Sequence, residues 1–373
     1  MTMIFRRHAL VAAALAACLT ASALPAAAAG YLDKPDYPLS AVEQLYADLA
    51  KLSPAERQAK LEEGGRKEGQ LEFIQTLGGA LGRGANKVFT DAYPYIKLSA
   101  TEMVTNAGME RLVAEERADK HLTDVAGGDL TEASVPLDNG FLARYPTPAT
   151  AAVQPQYRGL LDPHNRWIVY SWNEHGMSYN ARMIGEADAP KDWFDLCKPA
   201  LKGQASIEPS RGRFLIFLHT MLGEEKMVEW LKCFAANAPI IMTGSSVRVD
   251  LMIAGDHGIQ ATNSLYRGLD TVRKKGADKV PFRAVWTAPI MAQPSGCVIN
   301  RMTGRPYAAA LFCDSLLNEK TQQFLYDNFR NPVTLPSPFM PPDAQLITVG
   351  PRPVELVQHL HSLWAKHVGT AKN

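Results

Sequence analysis

The side chains with the clearest chemical use lie between residues 205 and 268: Arg211, Arg213, Ser245, Ser246, Tyr266 and Arg267. An arginine offers a rigid planar fork of donors that matches a carboxylate, phosphate or carbonate. Twice in this stretch a β-type run breaks at small or hydroxylated residues and hands over to a helix, at Ser210-Arg211-Gly212-Arg213 and at Thr243-Gly244-Ser245-Ser246. The first N–H groups of a helix have no partner within it and carry the positive end of its dipole, so two such starts beside arginines form an anion site. Each residue also has a plainer use. Serine caps helices whatever is bound, Tyr266 can pack at a helix start, and one of the two arginines can simply be solvated.

Reaction machinery does not accompany these residues. His164, His175, His219 and His257 are scattered, and His359 and His361 are spaced i, i+2, which does not share a helix face, so no zinc spacing appears. The chain therefore reads first as a binder of a small ligand.

The elements around this stretch must hold it in place. From residue 70 the pattern alternates strand and helix, with strands at 71–74, 96–100 and 124–126. That alternation predicts parallel βαβ units in an α/β doubly wound sheet, whose ligands sit beyond the carboxyl ends of the strands. Gly78 and Gly79 after the first strand and Asp129 after the third occupy such ends, where glycine lets a backbone approach a ligand or merely serves the turn. Residues 167–172, running on to 180, read as a strand crossing into a second lobe, with Trp172 either stacking on a ligand or filling the core there. Residues 284–288 read as the crossing back, and 294–300 as a strand returning to the first lobe. The expected layout is a signal segment at 1–29, a helical lead-in at 30–69, a first lobe of 70–168 plus 290–336, a second lobe of 169–289, and a tail with a helix at 337–373. Ser40 and the box Ser53-Pro54-Ala55-Glu56 start two lead-in helices, expected to pack outside the lobe without chemistry.

Composition narrows the class further. The 373 residues carry 39 basic against 38 acidic groups, a balance that gives no footprint for nucleic acid or an acidic membrane surface. Arg6 and Arg7, an apolar run from residue 9 to 17 and an alanine-rich end make residues 1–29 a secretory signal. Cleavage after Ala28 or Ala29 predicts a periplasmic chain, while Leu15-Ala16-Ala17-Cys18 also spells a lipoprotein box and would anchor the chain through Cys18. Export leaves Cys197, Cys233, Cys297 and Cys313, an even count that favours disulfides. Cys197 with Cys233 and Cys297 with Cys313 is the local pairing. Buried free thiols are the alternative.

The order of several segments resembles a known family. Glu68-Gly69-Gln70-Leu71, Ser178-Tyr179-Asn180, Ala189-Pro190 with Trp193 and Leu196, Leu201-Lys202-Gly203, Gly223-Glu224 with Trp230, Gly244-Ser245-Ser246 and the helix at 308–317 are similar to type II periplasmic solute-binding proteins of ABC importers, nearest the ferric-iron-binding branch. The resemblance covers residues 66–336. It implies two lobes joined by two crossing strands, a ligand in the cleft, closure about a hinge, an ABC permease and ATPase as partners, a monomer, no resident cofactor and no catalysis. Iron-binding members use adjacent tyrosines where this chain has only Tyr266, and no Tyr-Tyr pair occurs. Tyr266 is thus the sole metal candidate, and the expected cargo is a small anion or ferric iron with a bound anion. Two other readings stand beside transport: a binding protein that signals to a partner, and a cysteine-dependent transferase on the same fold.

Overall fold

A computed structural model describes residues 37–208 and 212–369. The signal segment, Cys18 and Arg211 lie outside the described residues.

Two helices lead in, α1 (Ala41–Leu49) and α2 (Pro54–Glu68), each opened by a serine capping box. They pack against the first half. Tyr46, Leu49 and Leu61 are buried in the first core. Glu43, fully buried, accepts from Arg144 Nε at 2.7 Å, Arg301 Nε at 2.9 Å and the Ser40 N–H at 2.8 Å. Burial pushes the Glu43 carboxyl up, and these donors outweigh it, holding it at about 2. The ion pairs that dock α1 join residues about a hundred and more positions apart, which a local reading does not see.

The first half then alternates β1 (Gln70–Gln75), α3 (Gly79–Ala92), β2 (Lys97–Glu102), α4 (Thr105–Arg117), β3 (Val125–Asp129) and the short α5 (Ser134–Asp138), with β1 parallel to both β2 and β3. β1 and β3 are largely buried, whereas β2, at the edge of the sheet, keeps its side chains exposed or half-buried. The long β4 (Ile168–Asn180) leads out of this half. Beyond it come β5 (Ala205–Ile207), α6 (Gly212–Ala236, broken at Gly223), β6 (Ile240–Ile241), α7 (Ser245–Ala254), β7 (Ile259–Ser264), α8 (Tyr266–Lys275) and β8 (Phe282–Ala284). At Gly223 φ is +72°, a conformation a side chain would strain, and it divides α6 into two helices.

The return strand is β9 (Ile290–Ile299), followed by α9 (Pro306–Ser315), α10 (Glu319–Asp327), β10 (Asn331–Pro332), β11 (Leu346–Thr348) and α11 (Val354–His367). The return is a single strand, not a crossing at 284–288 followed by a separate strand from 294: residues 282–284 pair with the edge of β4 as β8 instead. Pro294 falls where β9 changes partner from β11 to β3, so the proline sits at a break in the ladder and does not end the strand.

All the strands join one sheet in the order β2-β1-β3-β9-β4-β7-β5-β6, with β8, β10 and β11 on its flanks. The antiparallel pair β4 and β9, running from Ile168 opposite Cys297 to His175 opposite Met291 with a register shift between Val169 and Ser171, ties two α/β halves together. Each half has its own core. Phe73, Phe89 and Phe312 interlock in the first, and in the second Trp230 stacks on Phe234 at 4.5 Å with Trp193 and Phe214 beside it. Val349, Leu360 and Trp364 from the C-terminal segment complete the second core. The cysteines pair as their locality suggested, Cys197 with Cys233 and Cys297 with Cys313.

Candidate functional site

A cavity of about 390 Å³ opens between the halves, beyond the carboxyl ends of β1, β3 and β7. This is the position at which open α/β sheets bind ligands. Its floor is the crossing pair, where the polar side chains are tied to one another: His175 Nε2 lies 2.8 Å from Gln293 Oε1, and Asn173 donates to Ser295 Oγ at 3.2 Å. Thr76, Leu77, Gly78 and Asp129 form one wall, Arg213, Ser245, Ser264 and Tyr266 the other, and Leu325 and Arg330 close one end.

Most of the residues singled out by type and spacing meet here. Gly78 lines the cavity, and a Cβ at this position would run into the Glu102 carboxylate. Gly79 is not in the lining; its φ is +60°, and its N–H donates to Glu102 Oε2 at 3.1 Å. Asp129 and Arg213 face each other from opposite halves, joined by a 2.8 Å ion pair in which both side chains are buried. The other carboxylate oxygen of Asp129 accepts from the N–H and the hydroxyl of Thr131 at 2.9 and 2.6 Å. Ser245 lines the cavity at the start of α7 and donates to Glu208 at 3.3 Å. Ser246 is exposed and outside the lining. Tyr266, the first residue of α8, lines the cavity. Arg267 turns away to pair with Asp250 at 2.9 Å. Trp172 reaches the cavity but is buried against Tyr157, with ring centres 5.3 Å apart.

Two charged residues of the site escaped the sequence reading. Glu174, buried within β4, accepts from the Tyr266 N–H at 2.7 Å and the Ser264 hydroxyl at 3.4 Å, and its second oxygen accepts from the Asn331 amide. One carboxylate thus fastens a crossing strand to the start of α8 and to β10. Burial pushes it up to about 7, against the pull of the Tyr266 N–H, the Arg330 charge and Asn331. Arg330, just beyond α10, places its guanidinium carbon 3.6 Å from the centre of the Tyr266 ring. A glutamate inside an apolar strand and an arginine in an irregular turn carry no spacing signal.

The raised carboxyl sets a pH dependence. Between its unfolded value and about 7, the folded protein holds a proton that the unfolded chain has released, so stability contributed by Glu174 is present at low pH and is lost as pH rises through about 7. Glu68, which burial also pushes up to about 7, acts in the same sense. The urea midpoint is therefore expected to fall between pH 5 and pH 8, and to fall less in Glu174→Gln. Equal falls in the two proteins would remove Glu174 from this role.

The donor set for a hard trivalent cation is thin. Of the acids near the cavity, Asp129 is spent on Arg213, Glu102 accepts from the Gly79 N–H, Glu208 accepts from the Ser245 hydroxyl, and burial pushes Glu174 up; of the two phenols in the lining, burial pushes Tyr170 up, which leaves Tyr266. Among the described residues no helix is long and apolar enough to cross a membrane.

Residues 136–348 match the family of bacterial extracellular solute-binding proteins. Over 128 residues the chain is 33% identical to an Fe(3+)-binding periplasmic protein of Serratia marcescens, an alignment that spans 33% of this chain and about 37% of that relative's length. Iron-bound HitA from Pseudomonas aeruginosa shares the fold with a TM-score of 0.66 at 20% identity, over 81% of this chain and 99% of the other. The periplasmic binding protein AfuA from Actinobacillus pleuropneumoniae, with fructose-6-phosphate bound, superposes equally well, with a TM-score of 0.66 at 18% identity over the same shares.

Proposed function

Because the chain belongs to the bacterial extracellular solute-binding proteins, we propose that it captures a small anionic solute between its halves and delivers it, closed, to an ABC permease driven by an ATPase. The observation that carries this reading is the Asp129–Arg213 pair, which bridges the two halves inside a cavity rimmed by donors. A ligand touching both walls favours the closed form by its difference in affinity for the two forms. The chain acts as a monomer exported by its signal segment, and it carries cargo without transforming it: all four cysteines within the described residues are in disulfides, which removes the thiolate a transferase would need.

Ferric iron together with a bound anion is the second reading. It is favoured by the Serratia relative and by the iron-bound Pseudomonas structure. A thermal-shift titration of the metal-stripped protein separates the two, since a ligand raises the melting point with the logarithm of its excess over Kd. Phosphorylated and carboxylated molecules are expected to raise it and ferric iron alone is not. A shift with iron and a visible phenolate colour would establish the second reading, and no shift with any of them would overturn both.

A further inference from the structure

Arg330 stands apart from the other arginines of the cleft. Arg213 is committed to Asp129, whereas among the described residues Arg330 makes no ion pair, and its buried Nε has no hydrogen-bond partner. Its guanidinium carbon lies over the Tyr266 ring, 3.6 Å from the ring centre, and both residues line the cavity. The residue before it, Phe329, has a φ of +59°, a left-handed conformation that costs a bulky side chain and persists only where packing enforces it. Here the Phe329 ring is fixed by Phe339 at 4.7 Å and covered by the Arg273 guanidinium at 4.7 Å. The turn that aims Arg330 into the cleft is thus built and held.

Charge points the same way. Among the charged residues that line the cavity Asp129 and Arg213 cancel, and Arg330 leaves the described lining with an excess of positive charge. A guanidinium supported by an aromatic face keeps its outward N–H groups for a partner, and a planar oxyanion is the partner that fork fits.

We propose that Arg330 is a specificity-determining ligand anchor, receiving the carboxylate or phosphate group of the solute, and that Tyr266 serves it as a supporting ring and not as a phenolate for metal. The proposal rests on the reading of the protein as a binder of anionic solutes and assigns which residues choose the anion. It makes the ring of Tyr266 matter and its hydroxyl dispensable, the reverse of what metal ligation requires.

The test is a titration by calorimetry and thermal shift with inorganic phosphate, citrate and ferric nitrilotriacetate as probes, on the wild type and four variants. Arg330→Ala is expected to weaken the responding anion at least tenfold, and Arg330→Lys, which keeps the charge but not the fork, by less. Tyr266→Ala is expected to lose severalfold more affinity than Tyr266→Phe, because the ring matters more than the hydroxyl. Melting points without ligand show whether each variant is folded, and the lysine and phenylalanine variants carry the comparison should the alanine ones not be. An anion response unchanged in both Arg330 variants overturns the proposal and leaves the binding function standing. A ferric response with colour that Tyr266→Phe abolishes also overturns it. A wild type that answers none of the three probes overturns the binding reading and the proposal together.

Discussion

Arg213→Ala is expected to destabilise the closed form by about 3–5 kcal/mol, the usual effect of removing one partner of a buried ion pair. The Asp129 carboxyl would be left only 6% exposed, with Thr131 serving one oxygen and nothing replacing the guanidinium on the other. Asp129 and Arg213 belong to different halves, so the protein has a cheaper answer than unfolding: opening the cleft lets water reach the carboxylate. Small-angle scattering should therefore show a larger radius of gyration in the variant, and the urea midpoint should fall by less than the full penalty. Asp129→Asn combined with Arg213→Ala removes the stranded charge and should recover part of the loss, a coupling that a double-mutant cycle measures. A radius and midpoint equal to those of the wild type would mean that the pair does not hold the halves together.

Glu43→Ala should have an effect of similar size, about 3–5 kcal/mol, for a different reason. This carboxylate is fully enclosed and is the only anion that Arg144 and Arg301 pair with among the described residues; both guanidiniums also stack on Tyr37. Without it two cations face each other where α1 docks, and α1 should detach before the rest of the fold yields. Limited proteolysis should then cut ahead of α2 in the variant and spare the wild type. Acid should act in the same way. The folded carboxyl is held at about 2, below its unfolded value, so its contribution is complete above the unfolded value and is lost as pH falls toward 2. If α1 stays protected in Glu43→Ala, the clasp is not what docks it.

Much of the site was legible in residues 205–268 because two helix starts and an arginine there are local features, and local features are what a sequence displays. Strand–helix alternation likewise placed Gly78 and Asp129 at carboxyl ends of strands, where the cavity lies. What failed was resolution between neighbours. Gly78 and Gly79 are adjacent, as are Ser245 and Ser246, yet one of each pair lines the cavity: Gly79 turns to a φ of +60° and gives its N–H to Glu102, and successive helical residues such as Ser245 and Ser246 point about 100° apart. Partnership across distance failed as well. Arg213 and Asp129 were each read as facing a ligand, and their bond to one another spans 84 positions. Arg330 was invisible because its role depends on a left-handed phenylalanine, which no residue pattern announces.

The crossing pair also bears on when the molecule can finish forming. The first core begins at Tyr46 but takes its last walls from Ile299, Phe312, Leu325 and Val333, after the whole of the other half has gone by in the chain. The Cys297–Cys313 bond and the return strand belong to that late group. A chain made from its amino end therefore carries the β3 edge of its first three strands unpaired until β9, Ile290–Ile299, has appeared, while the residues from β5 to α8 already hold much of their own core. The half that starts first in sequence must wait for the return strand, and for that interval its unpaired edge is the part of the molecule most in need of shielding.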